Sequence, residues 1–246
     1  GAYHVLILTV VEQANSDGTH SYSVYSTTTA TTGNIYYWDG SFNNSWHRPA
    51  NWTPDRTTPA TTDILIINLG GTFTIDSVSQ LNETIAQLQI LNNTAVSLRS
   101  RGGAKTLTIT SNNGPLNADL IVETGSTLTH GIIPLGSLNI TLGANTTTAN
   151  ISGRILIPSG STYNTNAVNA LTTVTGTLRN SGTVVCTALN MLVTSTGTYD
   201  HAINGLVIPT ATWQSGSTCL ISNISNATTF TGSGHGQAFS NFIWDC

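Results

Sequence analysis

Few side chains in this sequence have the chemistry that a catalytic site needs. Glycoside hydrolysis requires two carboxylates facing one cleft, about 5–9 Å apart. The repetitive part of the chain offers four scattered acids: Glu83, Asp119, Glu123 and Asp200. A lyase needs a base beside a charge-neutralising group, and His130 and His201 occupy similar places in similar phrases. We expect both histidines to be polar surface residues, so the sequence predicts a non-enzymatic protein without a metal or cofactor.

Tryptophan is concentrated ahead of the repetitive part of the chain. Trp38, Trp46 and Trp52 precede the first apolar repeats, and Trp213 lies near the C-terminus. Indole rings can close the open end of a β array, where unpaired backbone and apolar core would otherwise face water. They can also form a platform for sugar rings, because an aromatic face offers apolar area with a polar edge. We favour the cap, and glycan contact is the alternative for all four.

The three cysteines do not have the spacing of a metal site. Cys186 lies in an apolar strand, where we expect a small buried hydrophobe. Cys219 and Cys246 flank a glycine-rich segment, so they are either free thiols or a disulfide that closes this loop. Such a disulfide would contribute about 2–4 kcal/mol in an oxidising compartment.

The composition narrows the class of protein. Only 7% of the 246 residues are charged, and the formal net charge is −4. Nucleic-acid binding needs a basic stripe, and only residues 99–105 come near one, so we expect no nucleic-acid partner. No apolar run approaches the roughly 20 residues of a membrane-spanning helix. Thr, Val and Ile favour strands while Asn and Gly favour tight turns, which predicts an all-β protein.

Short apolar strands recur from about Thr84 to Thr218. Examples are Leu88–Leu91, Leu107–Ile109, Leu120–Val122, Leu138–Leu142, Ile155–Ile157 and Leu171–Val174. A glycine phrase repeats at Glu123–Leu128, Pro158–Tyr163, Ser195–Tyr199 and Gln214–Cys219. This pattern predicts a parallel β-solenoid with capped ends, and a β-sandwich is the alternative. Strand centres lie roughly 14 to 19 residues apart, about the spacing expected of one coil, but the register is too irregular to equate each repeat with one coil.

These patterns divide the chain into four regions. They are an N-terminal strand or hairpin extension with a linker (1–34), a Trp-rich cap with the first coils (35–83), solenoid coils (84–198), and the last coils with a C-terminal cap (199–246). The first strand is apolar on both faces, so it must be covered on both sides, by its own chain or by strand addition from a neighbouring molecule. The candidate inter-subunit residues are Tyr3, Val5, Leu6, Ile7, Leu8, Val10 and Val11.

Two groups of residues carry a family resemblance. The first group is Trp38-Asp39-Gly40, Trp46, Asn51-Trp52 and Asp63-Ile64-Leu65-Ile66. The second is Gly197-Thr198-Tyr199, Ile208–Trp213, Gly216–Cys219, Gln237-Ala238-Phe239, Asn241-Phe242, Trp244 and Cys246. With these motifs, residues 35–246 resemble a region of large secreted cell-surface proteins of Bacteroidetes, which carry β-helical arrays and use type IX secretion.

The resemblance implies an extracellular, cell-surface location and a β-helical architecture more than an activity. Asp76-Ser77-Val78 looks like the short O-glycosylation signal used in that phylum, which makes Ser77 a candidate glycosylation site. The chain also begins at Gly1 without Met, as we expect of a processed product.

Three functions follow from these patterns. The favoured one is an extracellular structural protein, either a cell-surface stalk or adhesin segment or the subunit of a self-assembling filament. The second is a carbohydrate-binding module that uses the tryptophans. The third is an ice-binding protein, suggested by recurring Thr-x-Thr. The expected partners are neighbouring copies of the same chain, with glycans as the alternative.

Overall fold

The computed structural model describes residues 4–5, 8–14, 20–26, 30–31, 33–76, 78, 82–110, 118–131, 136–143, 147–205, 207–224 and 233–246. Four strands precede the main body: β1 (His4–Val5), β2 (Leu8–Ala14), β3 (His20–Ser26) and β4 (Ala30–Thr31). β1 pairs with β4 and β2 pairs with β3, both antiparallel, so this region is an extension containing a hairpin. A single 3-10 turn at Pro49–Asn51 is the one helical element in the described ranges.

Three sheets form the main body. Sheet I contains β5 (Ile35–Trp38), β6 (Trp52–Thr53), β7 (Ile64–Ile67), β10 (Gln87–Ile90), β13 (Leu120–Val122), β16 (Thr148–Ile151), β19 (Leu171–Val174), β22 (Met191–Val193) and β24 (Thr212–Trp213). Sheet II contains β8 (Gly71–Ile75), β11 (Thr94–Leu98), β14 (Thr127–His130), β17 (Arg154–Ile157), β20 (Thr177–Asn180), β23 (Thr198–His201), β25 (Thr218–Ser222) and β26 (Asn241–Asp245). Sheet III contains β9 (Glu83–Ile85), β12 (Lys105–Ile109), β15 (Leu138–Leu142), β18 (Thr162–Asn164) and β21 (Thr183–Val185).

The chain visits these sheets in turn and stacks about seven turns of a parallel β-solenoid. Neighbouring strands within each sheet are parallel, apart from β6, which pairs antiparallel with β5 at the N-terminal end. The solenoid predicted from the sequence is therefore confirmed. The β-sandwich alternative is wrong, because a sandwich packs two antiparallel sheets face to face.

The predicted spacing of one coil is wrong. Paired positions on successive coils lie from 19 residues apart, as in Thr172 and Met191, to 33 apart, as in Lys105 and Leu138. Consecutive apolar strands in the sequence often belong to different faces, since β10 is in sheet I and the next predicted strand, β12, is in sheet III. A spacing of about 14 to 19 residues therefore measures a step between faces, not one coil.

Alternate residues of each strand point inward and stack in columns along the solenoid. One column of sheet I consists of Ile67, Ile90, Val122, Ile151, Val174 and Val193, all of which are fully buried. Burying a side chain of this size contributes about 1.5–3 kcal/mol. The columns of the three sheets meet in one continuous hydrophobic core.

The repeated glycine phrase forms corners between sheets. Gly125 and Gly216 lie between strands of sheet I and sheet II, and Gly160 lies between strands of sheet II and sheet III. All three have a positive φ, between 80° and 95°, which glycine adopts without the steric cost of a Cβ. The serine that follows each of them is buried, so the phrase turns the chain and points a small side chain inward.

Candidate functional site

Three indole rings close the N-terminal end of the solenoid. Trp52 makes edge-on contacts with Trp38 and Trp46, each with ring centroids 5.1 Å apart. The Trp52 Nε1–H donates to the carbonyl oxygen of Trp46 at 2.9 Å. These three side chains are 2%, 0% and 1% exposed in sequence order. They form a cap, and their burial excludes the expected platform for sugar rings, because none of the three offers an open ring face.

Asn51 anchors the loop between Trp38 and Trp46. Its Oδ1 accepts the N–H of Phe42 at 3.0 Å and the N–H of Asn43 at 2.9 Å. Its Nδ2 donates to Asn43 Oδ1 at 2.9 Å and to the Ser45 carbonyl oxygen at 2.8 Å. Asn51 is fully buried, and an unpaired buried amide would be costly. The Asn51 side chain therefore helps to fix the loop from Phe42 to Ser45 through four hydrogen bonds.

A buried ion-pair cluster supports the cap from below. Arg56 is 3% exposed; its Nε donates to Asp63 Oδ2 at 2.8 Å and its Nη2 donates to Glu83 Oε1. The guanidinium carbon also lies 5.9 Å from the centroid of the Trp52 ring. Trp46 Nε1 donates to the other oxygen of Glu83 at 2.7 Å. Glu83, one of the acids considered for hydrolysis, is thus part of the cap.

The C-terminal end is organised by Gln237. Its Oε1 accepts the indole N–H of Trp213 and the backbone N–H of Ala211, both at 3.0 Å. Its Nε2 donates to the carbonyl oxygens of Pro209 at 3.2 Å and Gly234 at 2.8 Å. Gln237 therefore joins the last turn of the solenoid to the segment that follows it.

Aromatic rings continue across this end. Trp213 is half-buried, and its ring centroid lies 4.9 Å from that of Phe239 and 6.3 Å from that of Tyr199. Phe239 in turn lies 5.4 Å from Phe242. Trp213 is therefore packed as a cap residue, and glycan contact through its remaining exposed area stays a prediction.

The last strand of sheet II leaves an apolar edge exposed. Among the described strands, β26 pairs only with β25. Phe242 and Trp244 pair with Cys219 and Ile221 of the preceding coil, and both of these partners are fully buried. Phe242 and Trp244 are themselves 46% and 47% exposed, and Ile243 is 48% exposed. We call strand β26 the terminal edge. An exposed, apolar edge strand is a template for pairing with another strand.

The predicted disulfide between Cys219 and Cys246 is wrong, because all three cysteines are free. Cys219 is buried on β25 opposite Phe242, and Cys246 lies four residues beyond Phe242. Four extended residues span about 13 Å, whereas a disulfide needs Cα atoms about 4.4–6.8 Å apart. Burial raises the pKa of the Cys186 and Cys219 thiols to about 12, which keeps both protonated.

Both histidines considered as bases lie inside the solenoid, which corrects the expectation of surface positions. His130 and His201 are fully buried and belong to the same inward column of sheet II, three strands apart. The Nδ1 of His130 lies 2.8 Å from the carbonyl oxygen of Leu138. Desolvation lowers the pKa of His130 to about 4 and also lowers that of His201. Neither imidazole reaches a surface where a polysaccharide could bind.

The remaining acids each have a structural partner. Asp119 Oδ2 accepts the N–H of Thr148 at 2.8 Å, and burial raises the pKa of this carboxyl. Glu123 Oε2 accepts the N–H of Asn92 at 2.7 Å. Asp200 is ion-paired with Arg179. The structure therefore does not bring these three acids and Glu83 together in one cleft.

The N-terminal candidates lie partly within the described residues. Val5 belongs to β1, and Leu8, Val10 and Val11 belong to β2 in the hairpin. Tyr3, Leu6, Ile7 and the candidate glycosylation site Ser77 lie outside the described residues. Use of the N-terminal strand between subunits stays a prediction.

Neither a membrane-spanning helix nor a metal site is found in the described part of the chain. No helix there has the length and apolar character to cross a membrane. His, Cys, Asp and Glu side chains do not form a group that could hold a metal ion within those ranges.

Comparison of the chain with known proteins gives no matching family model, curated protein or solved structure.

Proposed function

We propose that this chain is a non-enzymatic extracellular structural protein, used as a cell-surface stalk or adhesin segment or as the subunit of a self-assembling filament. The observation that carries the proposal is the terminal edge. Its residues Phe242, Ile243 and Trp244 place three large apolar side chains, each about half exposed, on a strand that pairs on one side only among the strands that the structure describes. Monomeric proteins protect such edges, because they pair readily with other chains.

The proposed partner is a second copy of the same chain. Strand addition joins molecules through main-chain hydrogen bonds, and side-chain pockets supply the specificity. The N-terminal extension of a neighbouring copy offers the strand: β2 has seven residues against five in β26, and it belongs to a two-stranded hairpin separate from the three solenoid sheets. Its sequence is apolar from Val5 to Leu8 and again at Val10 and Val11.

The test compares self-association of the whole chain with that of edge variants. We expect wild-type protein to form elongated particles in negative-stain electron microscopy and concentration-dependent species in sedimentation velocity. Ile243→Lys places a charge on the terminal edge, and deletion of residues 1–12 removes the incoming strand; each change is expected to leave monomers. Leu189→Lys is the matched control, because Leu189 is 88% exposed and lies away from the terminal edge.

Two outcomes would contradict self-assembly through the terminal edge. One is wild-type protein that stays monomeric at every concentration tested. The other is assembly that persists unchanged in Ile243→Lys and in the deletion variant. Surface location is tested separately, by whether protease added to intact cells removes the protein.

The two other functions have weaker support. A carbohydrate-binding module built on Trp38, Trp46 and Trp52 lacks exposed rings. An ice-binding face needs one Thr-x-Thr per coil on a single flat sheet. Here Thr106 and Thr108 lie on sheet III, Thr127 and Thr129 lie on sheet II, and Thr173 lies on sheet I.

A further inference from the structure

A groove runs along the corner between the N-terminal cap and the first strand of sheet II. Its wider part has a volume of about 420 Å³ and is lined by Trp38, Asp39, Asn43, Asn44, Leu69 and Phe73, among others. A second depression of about 270 Å³ shares Asn43 and Asn44 with the first and is also lined by Ser45, Asp76 and Arg101. We call the two parts together the corner groove. The wider part alone lies within the roughly 300–1,000 Å³ typical of small-ligand sites.

The walls of the corner groove are fixed before anything binds. The backbone of Asn43 is held by Asn51, as described above. The carbonyl oxygen of Asn44 accepts the N–H of Asp76 at 2.7 Å, and the N–H of Trp46 donates to the carbonyl oxygen of Asp76 at 2.9 Å. A pre-formed site loses less conformational entropy on binding than a flexible one.

The lining combines apolar and polar groups in the way that a sugar ring requires. Phe73 is half-buried beside Leu69, which is 51% exposed, and an aromatic side chain can pack against the C–H face of a pyranose. The side-chain amide of Asn44 and the Nδ2 of Asn43 make no hydrogen bond to another described residue. An amide both donates and accepts, and so do the hydroxyl groups of a sugar.

The charges in the corner groove favour a neutral ligand. Asp76 is shared by two cations: Arg99 Nε donates to Asp76 Oδ1 at 2.8 Å, and Arg101 Nη2 donates to Oδ2 at 3.3 Å. Asp39 adds a carboxylate at the other end of the groove. The charged lining residues are Asp39, Asp76 and Arg101, which leave no excess positive charge for a phosphate or sulfate, while the 61% exposed Arg101 side chain still presents N–H donors.

We infer that the corner groove binds a neutral saccharide, with Phe73 stacked on a sugar ring and Asn43, Asn44 and Arg101 hydrogen-bonded to its hydroxyl groups. This inference deepens the adhesin form of the proposed function, because it supplies a ligand class for that form. Self-association through the terminal edge does not depend on it.

The test begins with the full chain on an array of neutral and anionic oligosaccharides. The neutral oligosaccharide with the strongest signal is then titrated by calorimetry against wild type and variants. Asn44→Ala removes a side chain without hydrogen bonds to described residues, so it leaves the fold intact. Phe73→Leu keeps apolar packing but removes the ring. Each is expected to weaken binding about tenfold, which corresponds to about 1.4 kcal/mol.

Matched controls separate this inference from the proposed function. Asn166→Ala removes an exposed amide from a different groove, and Phe242→Ala removes an exposed ring from the terminal edge. Both controls are expected to bind the oligosaccharide as wild type does, and Phe73→Leu is expected to assemble as wild type does. The inference is overturned if no neutral saccharide binds, if binding is confined to anionic glycans, or if Phe73→Leu and Asn44→Ala bind like wild type.

Discussion

His130 shows how a single polar side chain in the core ties the stability of this protein to pH. Its pKa falls from the ordinary 6.5 to about 4, chiefly because burial penalises the charged imidazolium. In the unfolded chain the ring takes up a proton near pH 6.5, while in the folded chain it stays neutral until about pH 4. The free energy of unfolding therefore decreases as pH falls through this window, by roughly 3 kcal/mol.

Urea unfolding followed between pH 7 and pH 4 measures this effect. We expect the midpoint to fall over the window for wild type and to fall less for His130→Leu, which has no titrating ring. Ile155→Val is the control, because it trims a buried side chain of the same sheet and leaves every imidazole in place, so it should keep the pH dependence of wild type. If the urea midpoint falls equally with pH in wild type and in His130→Leu, His130 does not titrate in this way.

At the scale of elements, the corners between sheet I and sheet II depend on a column of glycines. Thr177 N–H donates to the Gly153 carbonyl oxygen at 2.9 Å, and Thr198 N–H donates to that of Gly176 at 2.8 Å. A Cβ added at Gly176 would lie 2.1 Å from the Gly153 carbonyl oxygen and 2.4 Å from that of Ser152. The clashing atoms are backbone, so neighbouring coils would have to separate.

Gly176→Ala is therefore expected to lower the free energy of unfolding by about 2–3 kcal/mol, as overpacking does elsewhere. Thermal and urea unfolding measure the change. Gly236→Ala is the matched control, because a Cβ at Gly236 meets nothing within 4 Å. If Gly176→Ala is as stable as Gly236→Ala, the corners are more tolerant than their geometry indicates.

The strands also show how far the sequence predicts this fold. Leu138–Leu142 alternates apolar and polar residues and Ile155–Ile157 is a short apolar run, and the structure has strands at both, β15 and β17. Strands such as β18 (Thr162–Asn164), where only Tyr163 is buried, carry too little apolar signal to be recognised. Which strands share a face depends on coils of unequal length, so local periodicity cannot give it.

The sequence likewise predicted some parts of the candidate sites and not others. The clustering of tryptophans predicted the N-terminal cap, whereas nothing in the prediction of a C-terminal cap at 199–246 identified the exposed strand β26. Gln237 belonged to a motif of the family resemblance, but the sequence did not predict its role, which depends on backbone groups that meet only after the last coil closes. The corner groove combines Asn44, Phe73 and Arg101 from three separate segments, so no local motif identifies it.

The whole molecule has little charge with which to attract or repel a neighbour. The chain has seven basic and eleven acidic residues and a formal net charge of −4. The terminal edge carries one charged residue, Asp245, beside its exposed apolar side chains. Association through this surface should therefore rest on apolar burial and main-chain hydrogen bonds, and salt screening has little effect on such contacts.

Sedimentation velocity at about 0.05 M and about 1 M NaCl tests this expectation, since screening lengths fall from well over 10 Å to about 3 Å across that range. We expect the distribution of assembled species to stay the same or to shift toward larger particles. Dissociation into monomers at high salt would mean that ion pairs, not the apolar terminal edge, hold neighbouring copies together.

Unequal coil lengths have a consequence for engineering. Strands stay in register although their coils differ by up to fourteen residues, from 19 to 33, so the additional residues must lie between strands. A foreign peptide grafted at Val168, which is 74% exposed in the segment between β18 and β19, would project from the side of the solenoid without shifting the strands of the neighbouring coils. The protein could thus serve as a display scaffold whose cargo position is set along its length by the choice of coil.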